Sequence, residues 1–200
     1  KSNQLTSQPA NPPFNGHVPI SAILAFSSVI TALLTGKKYI ALSNESSANE
    51  ANVEMYGMKI NHQYSKTLEF EQDFQSYVTK NISNQVQYFS FLRPLKEIQI
   101  AQNFCSKCFD KYLGNFSSCN KNFKLSRSST SPLPHSFHWC SQCSKCAFVA
   151  CIFAPFLDRD QMHELFGCEI FGQETILKFI PELLGQTEHK PFDCVGEYTE

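Results

Sequence analysis

Charge is what this sequence has least of. Only 18% of its 200 residues are Asp, Glu, Lys or Arg, in a balance of 17 basic to 18 acidic, and no long basic run occurs. A chain of net charge −1 carries no electrostatic footprint for nucleic acid or an anionic membrane surface, so neither is expected as a partner. The sequence also lacks the run of about twenty apolar residues that a membrane span requires. Its most apolar stretch, Ile20 to Leu34 (ISAILAFSSVITALL), is too short and is interrupted by serine and threonine, so it reads as a buried helix. No secretory signal opens the chain, and no internal repeat divides it. The nine cysteines are odd in number and their spacing suits a metal better than a disulfide scaffold, which points to a reducing cytoplasm with thiols free or metal-bound.

What is there is concentrated in one stretch, His138-Trp-Cys140-Ser-Gln-Cys143-Ser-Lys-Cys146. Cysteines at i, i+3 and i+6 cannot pair with one another in a compact turn without strain, but their sulfurs can converge on an ion that takes tetrahedral thiolate ligands, which is the coordination of zinc. A closed site needs a fourth ligand. Cys119 is the nearest cysteine outside the expected helices, and the Lys-, Ser- and Pro-rich run between Asn120 and Trp139 reads as a loop clipped at both ends. A rival set would use Cys105 and Cys108 with two knuckle cysteines, in the manner of a CxxC…CxxC finger. Those two lie at i, i+3 on a helix face with Phe104 and Tyr112, where packed thiols are the simpler reading.

With 42% hydrophobic residues the chain can form one globular domain, or a domain and a small appendage. Residues 1–16 hold prolines and asparagines without apolar periodicity and read as a leader or linker. Residues 17–118 read as an α/β portion. A helix over Ser21 to Leu34 is stopped by Gly36, Tyr39 to Ser43 is a buried parallel strand, and Phe70, Phe74, Tyr77 and Val78 recur at helical spacing. Val86 to Phe91 is a second strand, and Leu95 to Tyr112 a helix that Gly114 ends. Residues 119–200 form a cysteine-knuckle region, with a buried helix over Cys146 to Phe156 that includes Cys151, and shorter helices near Leu165 and over Ile176 to Leu184. The chain starts at Lys1 in a polar tail and stops at Glu200 without a closing element, so it is expected to be a piece of a longer protein.

Three polar strings stand apart from this framework. Ser43-Asn-Glu-Ser-Ser-Ala-Asn-Glu50 follows the first strand, and in open α/β sheets ligands bind just past the carboxyl ends of strands. Asn61-His62-Gln63-Tyr64-Ser65-Lys66 mixes an acid or base, a cation and amides in one turn. His189 to Glu197 (HKPFDCVGE) has the composition of a functional loop and no periodic pattern. A solvated loop or surface turn is the competing reading of the first two.

The order of these signals, with Arg93-Pro94-Leu95 and a Cys followed by CxxCxxC, resembles the zinc-bearing half of 7-cyano-7-deazaguanine synthase and its relatives. These are PP-loop ATP pyrophosphatases with a doubly wound parallel sheet. Within that superfamily LSNESSANE, NHQYSK, SCN, WCSQCSKCAF and HKPFDCVGE are similar to the UDP-N-acetylmuramoyl-L-alanyl-L-glutamate epimerase family, over residues 17 to 197. The superfamily's SGGKDS-type loop, whose backbone N–H groups bind pyrophosphate, is absent from this sequence. These 200 residues alone are therefore not expected to be catalytically complete.

The resemblance implies inversion of the terminal L-glutamate of a UDP-linked muramoyl dipeptide in peptidoglycan precursor synthesis, with ATP consumed and magnesium accompanying the nucleotide. A muramoyl-L-alanine–glutamate ligase is implied as functional partner. An ionised α-carboxylate keeps its Cα–H from being acidic, and an acyl adenylate removes that charge, after which a base and an acid must act on opposite faces. His62, Lys66 and Cys194 are the candidates for that proton transfer. Ser43, Asn44, Glu45, Asn49, Glu50, Asn61, Gln63, Arg93 and Lys190 are the candidate substrate contacts, with Glu45 and Glu50 also suited to magnesium. Structural zinc is expected on Cys119, Cys140, Cys143 and Cys146. Two other readings stay open: a PP-loop synthase acting on another carboxylate, and a non-catalytic zinc-stabilised binding module.

Overall fold

The computed structural model describes residues 20–51, 53–61, 63–119, 121 and 139–187. The leader at 1–16, the loop at 122–138, His62, Lys190, Cys194 and the whole HKPFDCVGE string lie outside the described residues. In chain order the elements are α1 (Ile20–Leu34), β1 (Tyr39–Leu42), β2 (Val53–Met55), β3 (Met58–Ile60), α2 (Leu68–Asn81), β4 (Gln87–Ser90), α3 (Glu97–Lys107), α4 (Phe109–Tyr112), α5 (Ser144–Phe153), α6 (Arg159–Phe166) and α7 (Glu174–Leu183). Single 3-10 turns lie at Ser46–Asn49, Tyr64–Lys66 and Ile170–Gly172.

Two separate apolar clusters organise these elements. In the amino-terminal body β1 and β4 pair in parallel, Tyr39 opposite Gln87 and Leu42 opposite Ser90. Strand residues alternate faces, and one face of this pair is closed. Tyr88 packs with Ala25 and Val29 of α1 and with Phe74 and Val78 of α2, with Ile40, Leu42 and Phe70 at the margin. The helices meet through Phe26 and Phe74, whose rings lie edge to face at 4.9 Å. Thr67 starts α2 by accepting the Phe70 N–H on Oγ1 at 3.1 Å, the local bond that makes threonine a good first cap. Val78 and Val29 are almost wholly buried, and such side chains stabilise a fold by about 1.5–3 kcal/mol each.

The sheet is therefore mixed α/β in character, but among the described residues its parallel part has two strands, not the many of a doubly wound sheet. The only other described pairing is an antiparallel hairpin, β2 with β3, turned at Tyr56-Gly57. Helix α1 also departs from the sequence reading. Only Ala25, Val29 and Ala32 are buried, while Ile20, Ile23, Leu24, Ile30 and Leu34 face outward. Apolar content identified a helix that suits burial, but in this chain only the stripe of Ala25, Val29 and Ala32, with Phe26 beside it, meets a partner.

In the carboxy-terminal body α5 is the central helix. Cys146, Ala147, Val149 and Ala150 are buried around most of its circumference, as expected of a helix without a polar face. Helices α3 and α7 lie against it. Ile170 and Ile176 are almost fully enclosed, and Phe104, Phe116, Trp139, Phe153 and Phe166 form a chain of ring contacts. Helix α5 ends at Phe153, short of Phe156, because Pro155 has no N–H to continue it. The expected helix over Leu95 to Tyr112 is two helices, broken at Cys108, where φ is −132°. Cys105 borders the carboxy-terminal core, and Cys105, Cys108 and Cys151 are half-buried, not fully enclosed.

Candidate functional site: a tetracysteine cluster and a braced pair of polar loops

The four cysteines singled out by spacing come together. One thiol sulfur each from Cys119, Cys140, Cys143 and Cys146 lies within 4.8 Å of all the others. Cys146 Sγ is 3.7 Å from Cys140 Sγ and 3.5 Å from Cys143 Sγ. These separations are far from the roughly 2.05 Å of a disulfide. They approach the edge of a tetrahedron with four sulfurs about 2.3 Å from zinc, which is about 3.8 Å. Cys105 and Cys108 are not in the cluster.

Local structure explains the convergence. Ser141 adopts a positive φ of 50°, folding Cys140 back over Cys143, and its hydroxyl donates to the Phe166 carbonyl at 3.3 Å. Cys143 is the N-cap of α5 and Cys146 lies in its first turn, where the helix dipole favours thiolate. The Cys119 N–H is bonded to Ser117 Oγ at 3.1 Å, and Cys119, Cys140 and Cys146 belong to the same buried cluster as Trp139, with Phe116 packed against it. Four thiolates this close repel one another unless a cation sits among them. Hydrogen bonds from Cys140, Cys143 and Cys146 push the Cys119 thiol low. Cys146 is pushed high by Cys119, Cys140 and Cys143 and by burial.

The second feature lies at the carboxyl ends of β1 and β4. Here the loops 43–50 and 61–67 meet, and Arg93, just past β4, joins them. Its Nη1 donates to the Glu45 carbonyl at 3.0 Å, and its Nη2 donates to the Lys66 carbonyl at 2.9 Å and to Glu71 Oε2 at 2.9 Å. Ser90 Oγ donates to the same Glu71 carboxylate and accepts from Asn44 Nδ2 at 3.1 Å. Burial would push the Glu71 carboxyl up, but the hydrogen bonds from Ser90 and Arg93 and the Arg93 charge prevail and hold it below the usual carboxylate range. Nearby, burial and the Glu71 charge push the Tyr88 hydroxyl up to about 12.

Several candidate substrate contacts are engaged within the loops. Asn61 donates to the Ala48 carbonyl at 2.8 Å and accepts from Gln63 N–H at 2.7 Å. Asn49 accepts the Leu68 N–H at 2.7 Å, fixing the start of α2. Ser47 Oγ donates its one proton to Glu97 at 2.6 Å and lies 3.3 Å from the Glu45 carboxylate. Ser43, Asn49 and Glu50 are exposed, and Lys66 and Gln63 are half-buried. The sequence reading missed Glu71, Ser90 and Glu97. Glu71 had a signal: it precedes Phe74 and Val78 by three and seven residues, so it shares the buried stripe of α2.

A small parallel sheet with polar loops at its carboxyl end, followed by a helical body built on four converging thiols, defines a mixed α/β protein with a cysteine cluster that could hold a metal ion. Family models give the particular family. Residues 2–91 match the MurL N-terminal domain and residues 115–200 the MurL C-terminal domain, and the chain belongs to the MurL family. It is 39% identical over 186 residues to the UDP-N-acetyl-alpha-D-muramoyl-L-alanyl-L-glutamate epimerase of a Micromonospora species, and 37% identical over 187 to that of Xanthomonas oryzae pv. oryzae. The Salinispora tropica epimerase is 38% identical over 186 residues. These matches cover 93–94% of this chain but only 39–40% of each relative. No solved structure matches the chain.

Proposed function

We propose that the chain is part of an enzyme that inverts the terminal L-glutamate of UDP-N-acetylmuramoyl-L-alanyl-L-glutamate in peptidoglycan precursor synthesis. The observation that carries this reading is the 37–39% identity to curated epimerases over nearly all of the chain. The chemistry explains why ATP belongs to it. Removing a Cα proton beside an ionised carboxylate places a second negative charge next to the first. Adenylating that carboxylate releases pyrophosphate, removes the first charge and lets the carbanion delocalise; after reprotonation on the opposite face, water hydrolyses the acyl adenylate, restoring the carboxylate and releasing AMP.

The polar loops supply the substrate-facing groups in this reading. Asn44, Glu45, Asn49, Asn61 and Gln63 are gathered at the end of the sheet where open α/β folds bind ligands. Lys66 stands in the same loop pair, with His62 and Cys194 the other proton-transfer candidates, and Ser43, Glu50 and Lys190 further contacts. Magnesium would find oxygen ligands at Glu45 and Glu50. Arg93 serves better as a brace than as a substrate contact, because its guanidinium is already committed to Glu71 and two loop carbonyls. The tetracysteine cluster suits structural zinc: four thiolates leave no position for water, and the metal would tie the Cys119 segment to α5 without joining the reaction. The PP-loop nucleotide fold belongs to the same proposal, with the pyrophosphate loop outside these 200 residues.

The test is direct. The chain would be assayed alone and co-expressed with the part of the Xanthomonas oryzae relative that it does not match. Substrate would be UDP-N-acetylmuramoyl-L-alanyl-L-glutamate with ATP in D2O. D-glutamyl product, one solvent deuteron at Cα and AMP are expected only in the combined sample. Epimer without AMP would remove ATP from the mechanism, and no epimer under conditions where both pieces are folded and associated would remove the epimerase reading.

A further inference from the structure

Helix α1 contains no charged residue. Its outward face presents Ile20, Ile23, Leu24, Ile30 and Leu34, with Ile30 59% and Leu34 82% exposed. The hydroxyls on and beside that face are turned inward: Ser27, Ser28 and Thr31 donate to the carbonyls of Ile23, Leu24 and Ser27 at 2.8–2.9 Å. An uncharged face whose few polar groups are satisfied within the helix suits contact with apolar protein better than water. At 15 residues the helix is too short to cross a membrane, and no described helix is long and apolar enough to do so.

The sheet beneath it is also unfinished, and unfinished on one side. Tyr88 and Ser90 point to the helices, while Tyr39 and Phe89 point away, their rings 6.5 Å apart, with Tyr39 66% exposed. Parallel sheets are found almost only with both faces covered. The two edges differ. At β4 the outer edge is closed by α2: Gln75 accepts the Tyr88 N–H on Oε1 at 2.6 Å and donates to the Val86 carbonyl at 3.2 Å. At β1 no strand pairs on the outer side among the described residues. A two-stranded sheet with one capped edge can grow only at the other.

We propose that the open edge of β1, the Tyr39–Phe89 face and the outward face of α1 form one docking surface for a further α/β segment, which adds a strand beside β1. The occupant is the kind of polypeptide that makes up the portion of the MurL relatives this chain does not span, which is about three-fifths of their length given the 39–40% covered. The surface fits it in chemistry, since a parallel neighbour brings backbone donors and acceptors to β1 and its crossover helix can cover the Tyr39–Phe89 face, the other face being closed already by α1 and α2. A second copy of this chain fits less well, because its own strand edge offers one open side and no helix for the Tyr39–Phe89 face.

The 200-residue chain, tagged, would be co-expressed with the unmatched part of the Xanthomonas oryzae relative and analysed by size exclusion with light scattering. A 1:1 complex is expected, weakened about tenfold or more by Ile30→Glu and by Tyr39→Glu. Both side chains are exposed, so each variant should keep the circular dichroism of the parent. A second measurement holds even if the partner piece misfolds: the chain alone should bind the dye ANS, and Ile30→Glu should reduce that signal. A self-associated dimer that Ile30→Glu dissociates would overturn the proposal in favour of a second copy. Binding to vesicles of anionic or zwitterionic lipid would overturn it in favour of a membrane. Absence of dye binding would also overturn it, by showing that the chain covers the surface itself. A complex that forms but does not epimerise substrate would leave this inference standing and remove the catalytic reading.

Discussion

Arg93 Nη2 lies 2.9 Å from Glu71 Oε2, and both side chains are only 12% exposed. A surface ion pair would matter little, but a buried one is asymmetric: breaking it by deleting one partner leaves a charge in a poor solvent. Arg93→Ala should therefore cost about 3–5 kcal/mol, and it also frees the Glu45 and Lys66 carbonyls. The single tryptophan, Trp139, sits in the other body, so fluorescence would miss the loss. Amide exchange at Tyr88 and Phe89 is the suitable measurement. Faster exchange in β4, with Trp139 emission unchanged, is the expected result. Arg93→Lys should recover only part of the loss, since one ammonium cannot reach both carbonyls and the carboxylate in the guanidinium's geometry.

The same pair sets a pH dependence. The Glu71 carboxyl is held below its ordinary value of 4.5 in the folded chain. A depressed folded value means that the unfolded state takes up the proton first as pH falls, so the stabilisation is complete above 4.5 and is lost as pH descends through the folded value. The comparison with Glu71→Gln isolates this contribution. The parent's advantage in β4 amide protection should be constant at neutral pH and shrink on acidification, because protonated glutamate and glutamine then differ little. An advantage that grew toward acid would mean that burial outweighs the hydrogen bonds.

The hairpin turn offers a stabilising substitution. Tyr56 and Gly57 both have positive φ, 54° and 75°, between the facing residues Met55 and Met58. That is the type I′ arrangement, which favours Asn-Gly. Tyr56 is 92% exposed and loses little contact on replacement. Tyr56→Asn should raise stability by a few tenths to about 1 kcal/mol. Gly57→Ala should lower it by about 1–2 kcal/mol, purely through backbone strain, since nothing lies within 4 Å of the position a Cβ would take. Chemical denaturation of the three proteins, followed by exchange at Ile60, checks the order.

Periodicity made α1 and α2 legible in the sequence, and short apolar runs made β1 and β4 legible, although β1 was expected to be buried and its residues are exposed or half-buried. The β2–β3 hairpin was not legible, since two three-residue strands carry almost no period and Tyr-Gly is an uncommon turn pair. Burial was harder still. The apolar excess of α1 signals contact without saying whether this chain supplies it, and Glu71 counted as one of the acids between apolar positions although its phase places it on the buried stripe. The loops 43–50 and 61–66 were legible as polar strings after a strand. That Arg93 and Glu71 join them depends on tertiary contacts between residues 22 positions apart, which no local pattern encodes. The convergence of Cys140, Cys143 and Cys146 followed from spacing alone, whereas Cys119 had to be chosen among several cysteines.

That choice can be tested through the metal. Cys119 contributes the fourth sulfur of the cluster, with Cys140, Cys143 and Cys146, and Cys108 contributes none. Zinc bound by four thiolates would lose affinity steeply when one becomes a serine hydroxyl, because the softer ligand is replaced by a neutral, weaker donor. Purified Cys119→Ser should therefore retain far less than one equivalent of zinc by elemental analysis, while Cys108→Ser should retain the parent's content. Stability follows metal content in such sites, so a chelator should unfold the carboxy-terminal body and shift Trp139 emission, and added zinc should restore it. Cobalt substitution gives a readout independent of folding yield: tetrahedral thiolate coordination produces strong visible absorption in the parent and in Cys108→Ser. Full zinc retention by Cys119→Ser, with loss in Cys108→Ser, would move the fourth ligand to the break between α3 and α4 and show that the proximity of Cys119 serves packing alone.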